Sequence, residues 1–137
     1  MTMSFQVDGG DFSRAGYASS RIKKMLKQLN VDSSIIRRTV VALYESEVNI
    51  VAHAYRGVIE VNIDPAYIHM ELKDEGPGIA DIEQAMQRGY STASPQVREM
   101  GFGAGMGLAN IRDNADEFDL KSDVGKGTTL NIKIYLP

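Results

Sequence analysis

Two periods divide this chain. Apolar residues recur every three or four positions from Phe12 to Leu29 (Ala15, Ala18, Ile22, Met25, Leu26, Leu29) and again from Ser33 to about Tyr55 (Ile36, Val40, Leu43, Ile50, Ala54). That spacing lines one face of a helix. Asn30-Val31-Asp32 separates the two runs, and Asp32 or Ser33 can cap the second. Arg56-Gly57 ends it, with Gly57 fitting a C-terminal cap. Elsewhere the period is two. Met3–Val7 predicts a short edge strand, and Val58–Ile63, Tyr67–Lys73, Glu117–Ser122 and Thr128–Tyr135 predict four more. Asp64-Pro65 turns the second strand into the third, a hairpin, and Val124–Gly127 turns the fourth into the fifth. Short helices are expected from Asp81 to Gln87 and from Met106 to Ala115. Arg88–Met100, with Gly89, Ser91, Ser94 and Pro95, has no clear period and reads as a mobile loop.

Composition narrows the class. A chain of 137 residues with 43% hydrophobic and 24% charged positions suits one globular domain, 1–137, with a real core. The polar face of the first helix carries Arg21, Lys23, Lys24 and Lys27. It reads as a solvated face, with a partner surface as the alternative. The balance of 15 basic against 18 acidic residues argues against nucleic-acid binding as the main activity. With no cysteine, disulfides and thiolate chemistry are excluded, and two histidines exclude a histidine-rich metal site. No apolar run approaches a membrane span, and the N-terminus shows no signal pattern, so a cytoplasmic location is the expectation.

Three stretches carry candidate chemistry. In Asp74-Glu75-Gly76-Pro77-Gly78-Ile79 an acidic residue closes a strand and a glycine turn follows. Gly76 and Gly78 let a flat ligand approach the backbone, and the carboxylate above can accept hydrogen bonds from a ligand amine. An ordinary strand-to-helix turn would read the same way. Gly101-Phe102-Gly103-Ala104-Gly105-Met106-Gly107-Leu108 has four alternate glycines ahead of a helix. It can present successive backbone N–H groups and a positive helix end to a phosphate chain, or it can be a flexible linker. Glu45 and Asn49, four apart on the second helix, share one face. They either edge a pocket or face solvent, as Glu47 is expected to do.

Taken in order, the Glu45/Asn49 helix, the Asp74–Gly78 turn, the Gly101–Gly107 loop and Gly127-Thr128-Thr129 opening the last strand resemble the GHKL ATP-binding fold. That fold is shared by DNA gyrase, MutL and the histidine kinases. Small size, Gly89-Tyr90-Ser91-Thr92 and Ala115-Asp116-Glu117-Phe118 make the chain most similar to the bacterial anti-sigma-factor serine/threonine kinases, including the stress-response switch kinases. The resemblance implies an α+β two-layer sandwich, with a mixed, mostly antiparallel sheet and helices on one face. It implies ATP and Mg²⁺ as cofactors, Asn49 as the Mg²⁺ ligand and Glu45 as general base. Asp74 would accept from the adenine amino group, with Gly76 and Gly78 beneath the base and Ile79 as an apolar contact. Gly103, Gly105 and Gly107 would form the phosphate loop, flanked by Gly101, Met106 and Leu108, and Thr128 would lie near the adenine. Arg98 stands where a basic residue can reach the γ-phosphate; a solvated arginine is the alternative. His53, one turn beyond Asn49, can touch a phosphate or play a structural part. His69 is expected on the strand surface.

The implied activity is transfer of the ATP γ-phosphate to a serine or threonine of a STAS-type (anti-anti-sigma) partner. Alternatives are a nucleotide-gated module that holds a sigma factor or activates a phosphatase, and a histidine-kinase catalytic domain acting on another chain. The last ranks lowest, because no phosphoacceptor helix is present. A homodimer is implied by the same resemblance.

Overall fold

The computed structural model describes residues 1–87 and 107–137. Five strands form one sheet: β1 (Thr2–Asp8), β2 (Arg56–Ile63), β3 (Tyr67–Glu75), β4 (Glu117–Asp123) and β5 (Gly127–Tyr135). Their order is β1-β2-β3-β5-β4, and every pairing is antiparallel. The expected mostly antiparallel sheet with helices on one face is what forms, and among the described residues every pairing is antiparallel.

The period-two pattern fixes which face is covered. In β2, β3 and β5 buried residues alternate with exposed or half-buried ones. Register then stacks the inward residues in rows. Met3, Val61, Met70, Ile132 and Phe118 make one row, and Phe5, Ile59, Leu72, Leu130 and Leu120 make the next. Helix α2 (Ser33–His53) packs on β1, β2, β3 and β5, with α1 (Tyr17–Gln28) and α4 (Gly107–Asn114) beside it. Ile22, Leu26, Leu43, Ile50 and Ile111 join the inward rows in one core. A one-turn helix, α3 (Ile82–Ala85), is capped by Asp81, which accepts from Gln84 N at 3.1 Å.

Several boundaries differ from the sequence reading. The first helix starts at Tyr17 rather than Phe12, because Gly16 adopts φ +94° and Phe12–Arg14 form a separate 3-10 turn. Asp32 caps α2 by accepting from Ser34 N at 2.9 Å. That helix stops at His53, and Ala54 is already extended. Gly57 is therefore no cap. It lies in β2 against α2, where a Cβ would meet two Ile50 carbons at 3.0 Å. No helix among the described residues is long and apolar enough to cross a membrane.

Candidate functional site

The sheet's third inward row turns polar. Register places Gly57, Asp74, Thr128 and Ser122 side by side across β2, β3, β5 and β4. Period two makes this unavoidable: Asp74 follows Met70 and Leu72 inward, and Thr128 precedes Leu130. Asp74 Oδ1 accepts from Thr128 N at 3.1 Å. Ser122 Oγ lies 2.9 Å from Thr128 Oγ1 and accepts from Ile79 N at 2.7 Å. Burial raises the Asp74 carboxyl above its ordinary value, and the Thr128 N–H opposes that rise.

The turn after β3 must be glycine-rich for steric reasons. Gly76 is buried, and a Cβ there would sit 3.0 Å from Ala54 Cα. Gly78 has φ +75°, and its Cβ would lie 2.4 Å from the Asp123 carbonyl oxygen. On the strand opposite, a Cβ at Gly127 would meet the Asp74 carbonyl oxygen at 2.0 Å. The backbone is thus brought close around Asp74 from both sides.

The second half of the site comes from α2 and α4. A Cβ at Gly107 would lie 3.3 Å from both Asn49 Oδ1 and Glu45 Oε2. The carboxylate and the amide therefore converge on the first turn of α4, whose N–H groups have no partner within the helix. The other end of α4 is tied down by Arg38, which donates to Asn114 O at 3.1 Å and pairs with Asp116 at 3.0 Å. So α4 runs antiparallel to α2, with its positive end aimed at Glu45 and Asn49. Asn49 and Ala54 are five residues apart, about 7.5 Å along the helix axis. The Gly107 contacts therefore fall on the C-terminal half of α2 and the Gly76 contact on the residue just past its end. His53 lies between them, half-buried, and burial pulls its imidazole below the ordinary value. At neutral pH that favours the uncharged ring, which is a weak phosphate partner.

The structure thus brings Glu45, Asn49 and Gly107 together on one side and Asp74, Gly76, Gly78, Ile79 and Thr128 together at one end of the sheet, the two groups meeting where Gly76 packs on Ala54. Leu108 packs against the core. Arg98, Gly101, Gly103, Gly105 and Met106 lie outside the described residues, as does the expected loop at 88–100. His69 is half-buried on the sheet's outer face, its Nε2 2.9 Å from Asn131 Oδ1.

Two residues escaped the sequence reading. Ser122 links the glycine turn to Thr128. Its signal was its place after Phe118 and Leu120 in an alternating strand, a hydroxyl at an inward position. Glu47, expected in solvent, is 2% exposed. Its carboxylate accepts from Ala18 N at 3.0 Å and Ser19 N at 3.3 Å, the first turn of α1. Leu43 and Val51, four residues either side and both buried, marked that face as inward.

Comparison with known proteins bears on the family and the fold. The model of the histidine kinase-like ATPase domain matches residues 13–134. The chain is 29% identical to the anti-sigma F factor of Geobacillus sp. (strain WCH70), over 88% of this chain and 83% of that one. It is 30% identical to the anti-sigma F factor of Caldanaerobacter subterraneus subsp. tengcongensis, over 88% and 84%. Among solved structures, the RsbU and RsbW domains of a Mycobacterium tuberculosis protein superpose with a TM-score of 0.67 at 17% identity, over 99% of this chain and 32% of that one. The mycobacterial sensor histidine kinase MprB gives 0.53 at 19% identity, over 98% of each chain. At such identities these two show the fold alone. The extent of the family match is decisive: this chain belongs to the histidine kinase-like ATPase domain family, of GHKL type, and its curated relatives include anti-sigma F factors.

Proposed function

We propose that this protein is an ATP-binding anti-sigma regulatory factor that acts as a serine/threonine kinase on a STAS-type (anti-anti-sigma) partner. The observation that carries the catalytic part is the convergence of Glu45 Oε2 and Asn49 Oδ1 on Gly107. The anti-sigma part is supported by the names of the curated relatives.

The residue types fit the task. Asp74 is a half-buried carboxylate set to accept from an amine such as the adenine 6-amino group. The first turn of α4 offers backbone N–H groups to phosphates. Asn49 offers one hard oxygen. Among the described residues no cluster of three or more His, Cys, Asp or Glu forms a metal site. A Mg²⁺ ion would therefore be held by Asn49, with phosphate and water oxygens completing its shell. When bound, Mg²⁺ supplies charge neutralisation to the phosphates. Glu45 accepts the proton of the partner's hydroxyl as that oxygen bonds to the γ-phosphorus. The bond from phosphorus to the bridging oxygen breaks, and ADP leaves with that oxygen. Positioning contributes most of such a reaction, so holding Glu45 and Asn49 on one rigid helix matters more than their acidity.

The test is Glu45→Gln, which keeps the shape and removes the base. Expected is a loss of phosphoryl transfer to a STAS protein of about 10²-fold or more, with calorimetric ATP binding within a few-fold of wild type. If wild type phosphorylates no STAS protein yet binds a sigma factor in an ATP-dependent way, the protein is a nucleotide-gated binding module and the kinase reading falls. If wild type does not bind ATP, both fall.

A further inference from the structure

We infer that Ser122 is a specificity-positioning residue: by taking the hydroxyl proton of Thr128 it leaves the Asp74–Thr128 pair with acceptors only, and so selects a 6-amino over a 6-oxo purine. This rests on the nucleotide-site reading above.

The inference follows from counting protons. A hydroxyl has one hydrogen to give and two lone pairs to receive. Ser122 Oγ has three neighbours: Ile79 N at 2.7 Å, the Gly127 carbonyl oxygen at 3.1 Å and Thr128 Oγ1 at 2.9 Å. Ile79 N–H can only donate, so it occupies one Ser122 lone pair. The Gly127 carbonyl can only accept, so it takes the one Ser122 proton. The contact with Thr128 is then satisfied only if Thr128 donates to the remaining Ser122 lone pair. The Thr128 proton is thereby committed along the strand row, away from Asp74, which stands on its other side.

What Thr128 can offer a ligand is lone pairs alone. Asp74, when ionised, has only lone pairs too, and one oxygen already receives Thr128 N–H. Two adjacent acceptors match a ligand edge that donates at this point, as an exocyclic amine does. A carbonyl at the same position would face both acceptors with no proton between them. Sites built around a committed hydrogen-bond polarity reject the reversed partner strongly, because buried polar groups are left unpaired. The same hydroxyl anchors Ile79 N, so Ser122 also couples the glycine turn to the purine edge. Asp74 is an acceptor by itself, but without Ser122 the Thr128 hydroxyl could rotate and donate to a carbonyl guest.

The test compares ATP with ITP, which differs only in carrying a 6-oxo group and the N1 proton that accompanies it. Calorimetric affinities with Mg²⁺ present give the ATP:ITP ratio for wild type, Ser122→Ala and Ser122→Thr. Wild type is expected to favour ATP. Ser122→Ala frees the Thr128 proton to turn toward the ligand, and the ratio should fall about tenfold, chiefly through better ITP binding. Ser122→Thr keeps a hydroxyl and should keep the ratio. A merely structural role would weaken both nucleotides alike and leave the ratio unchanged. If Ser122→Ala does not fold, Thr128→Val in its place should lower the ratio in the same sense. Wild type that binds ATP and ITP equally, or an alanine (or valine) variant with the wild-type ratio, overturns the inference and leaves the ATP site intact. Wild type that binds neither nucleotide removes both readings together.

Discussion

A carboxylate at the edge of a core is a cost to the fold that a ligand can use. Asp74 stands in line with Met70 and Leu72, and burial raises its carboxyl above the ordinary 3.8 while the Thr128 N–H partly opposes the shift. A raised value means that the folded chain binds this proton more tightly than the unfolded chain does. The contribution to folding is therefore present below the ordinary value and is lost as pH rises through the raised one. At neutral pH the ligand-free protein carries this cost in full. Asp74→Asn removes the ionisation and keeps an oxygen for Thr128 N–H. We expect the ligand-free variant to melt at or above wild type at pH 7, with the gap closing as pH falls toward 4, and to bind ATP at least tenfold more weakly. Paired thermal melts across that range, with calorimetry at pH 7, measure both. A variant that melts lower at pH 7, with the deficit shrinking as pH falls toward 4, would show that the ionised carboxylate stabilises the fold.

The elements hold the site by contacts that propensity alone does not announce. The capping position before helix α1 is Gly16, which has no side chain to cap the first turn. Glu47 supplies the cap from α2, accepting at Ala18 and Ser19, the second and third positions of the helix. It leaves Glu47, two residues from Glu45 and Asn49, facing the opposite helix rather than the pocket. Glu47→Ala would strand two buried N–H groups and open a cavity, at a cost of about 2–4 kcal/mol. Glu47→Gln keeps one accepting oxygen and should cost about half as much. Urea unfolding would rank the two, and a change of less than about 0.5 kcal/mol for Glu47→Ala would mean that α1 is held by its apolar face alone.

At the scale of the whole molecule, what was legible was whatever follows from periodicity. Alternation gave five strands and the 3.6 period gave two long helices, because each buries one face against the same core. Asp74 and Gly78 stood out only through their company: alone the stretch reads as an ordinary strand-to-helix turn, and its place between the Glu45/Asn49 helix and the glycine loop singled it out. Ser122 and Glu47 were not, since their meaning lies in partners 43 and 28 to 29 residues away. A single strand or helix does not show which register will bring such partners into place. The same remoteness makes a prediction. Glu45, Asn49, Asp74, Gly107 and Thr128 meet only in the folded state, so ATP should have no foothold on the unfolded chain. Ligand at 100 times its Kd then adds about 2.7 kcal/mol to folding. For a domain of this length that is a rise in Tm of roughly 8 °C. At the same ligand concentration Asp74→Asn should cut the rise to about half or less while leaving the ligand-free Tm no lower than wild type, and Glu47→Ala should lower the ligand-free Tm while keeping the rise. If ATP raised the Tm of Asp74→Asn as much as that of wild type, the nucleotide would be binding elsewhere on the molecule, and the row from Gly57 to Ser122 would be a structural edge of the core.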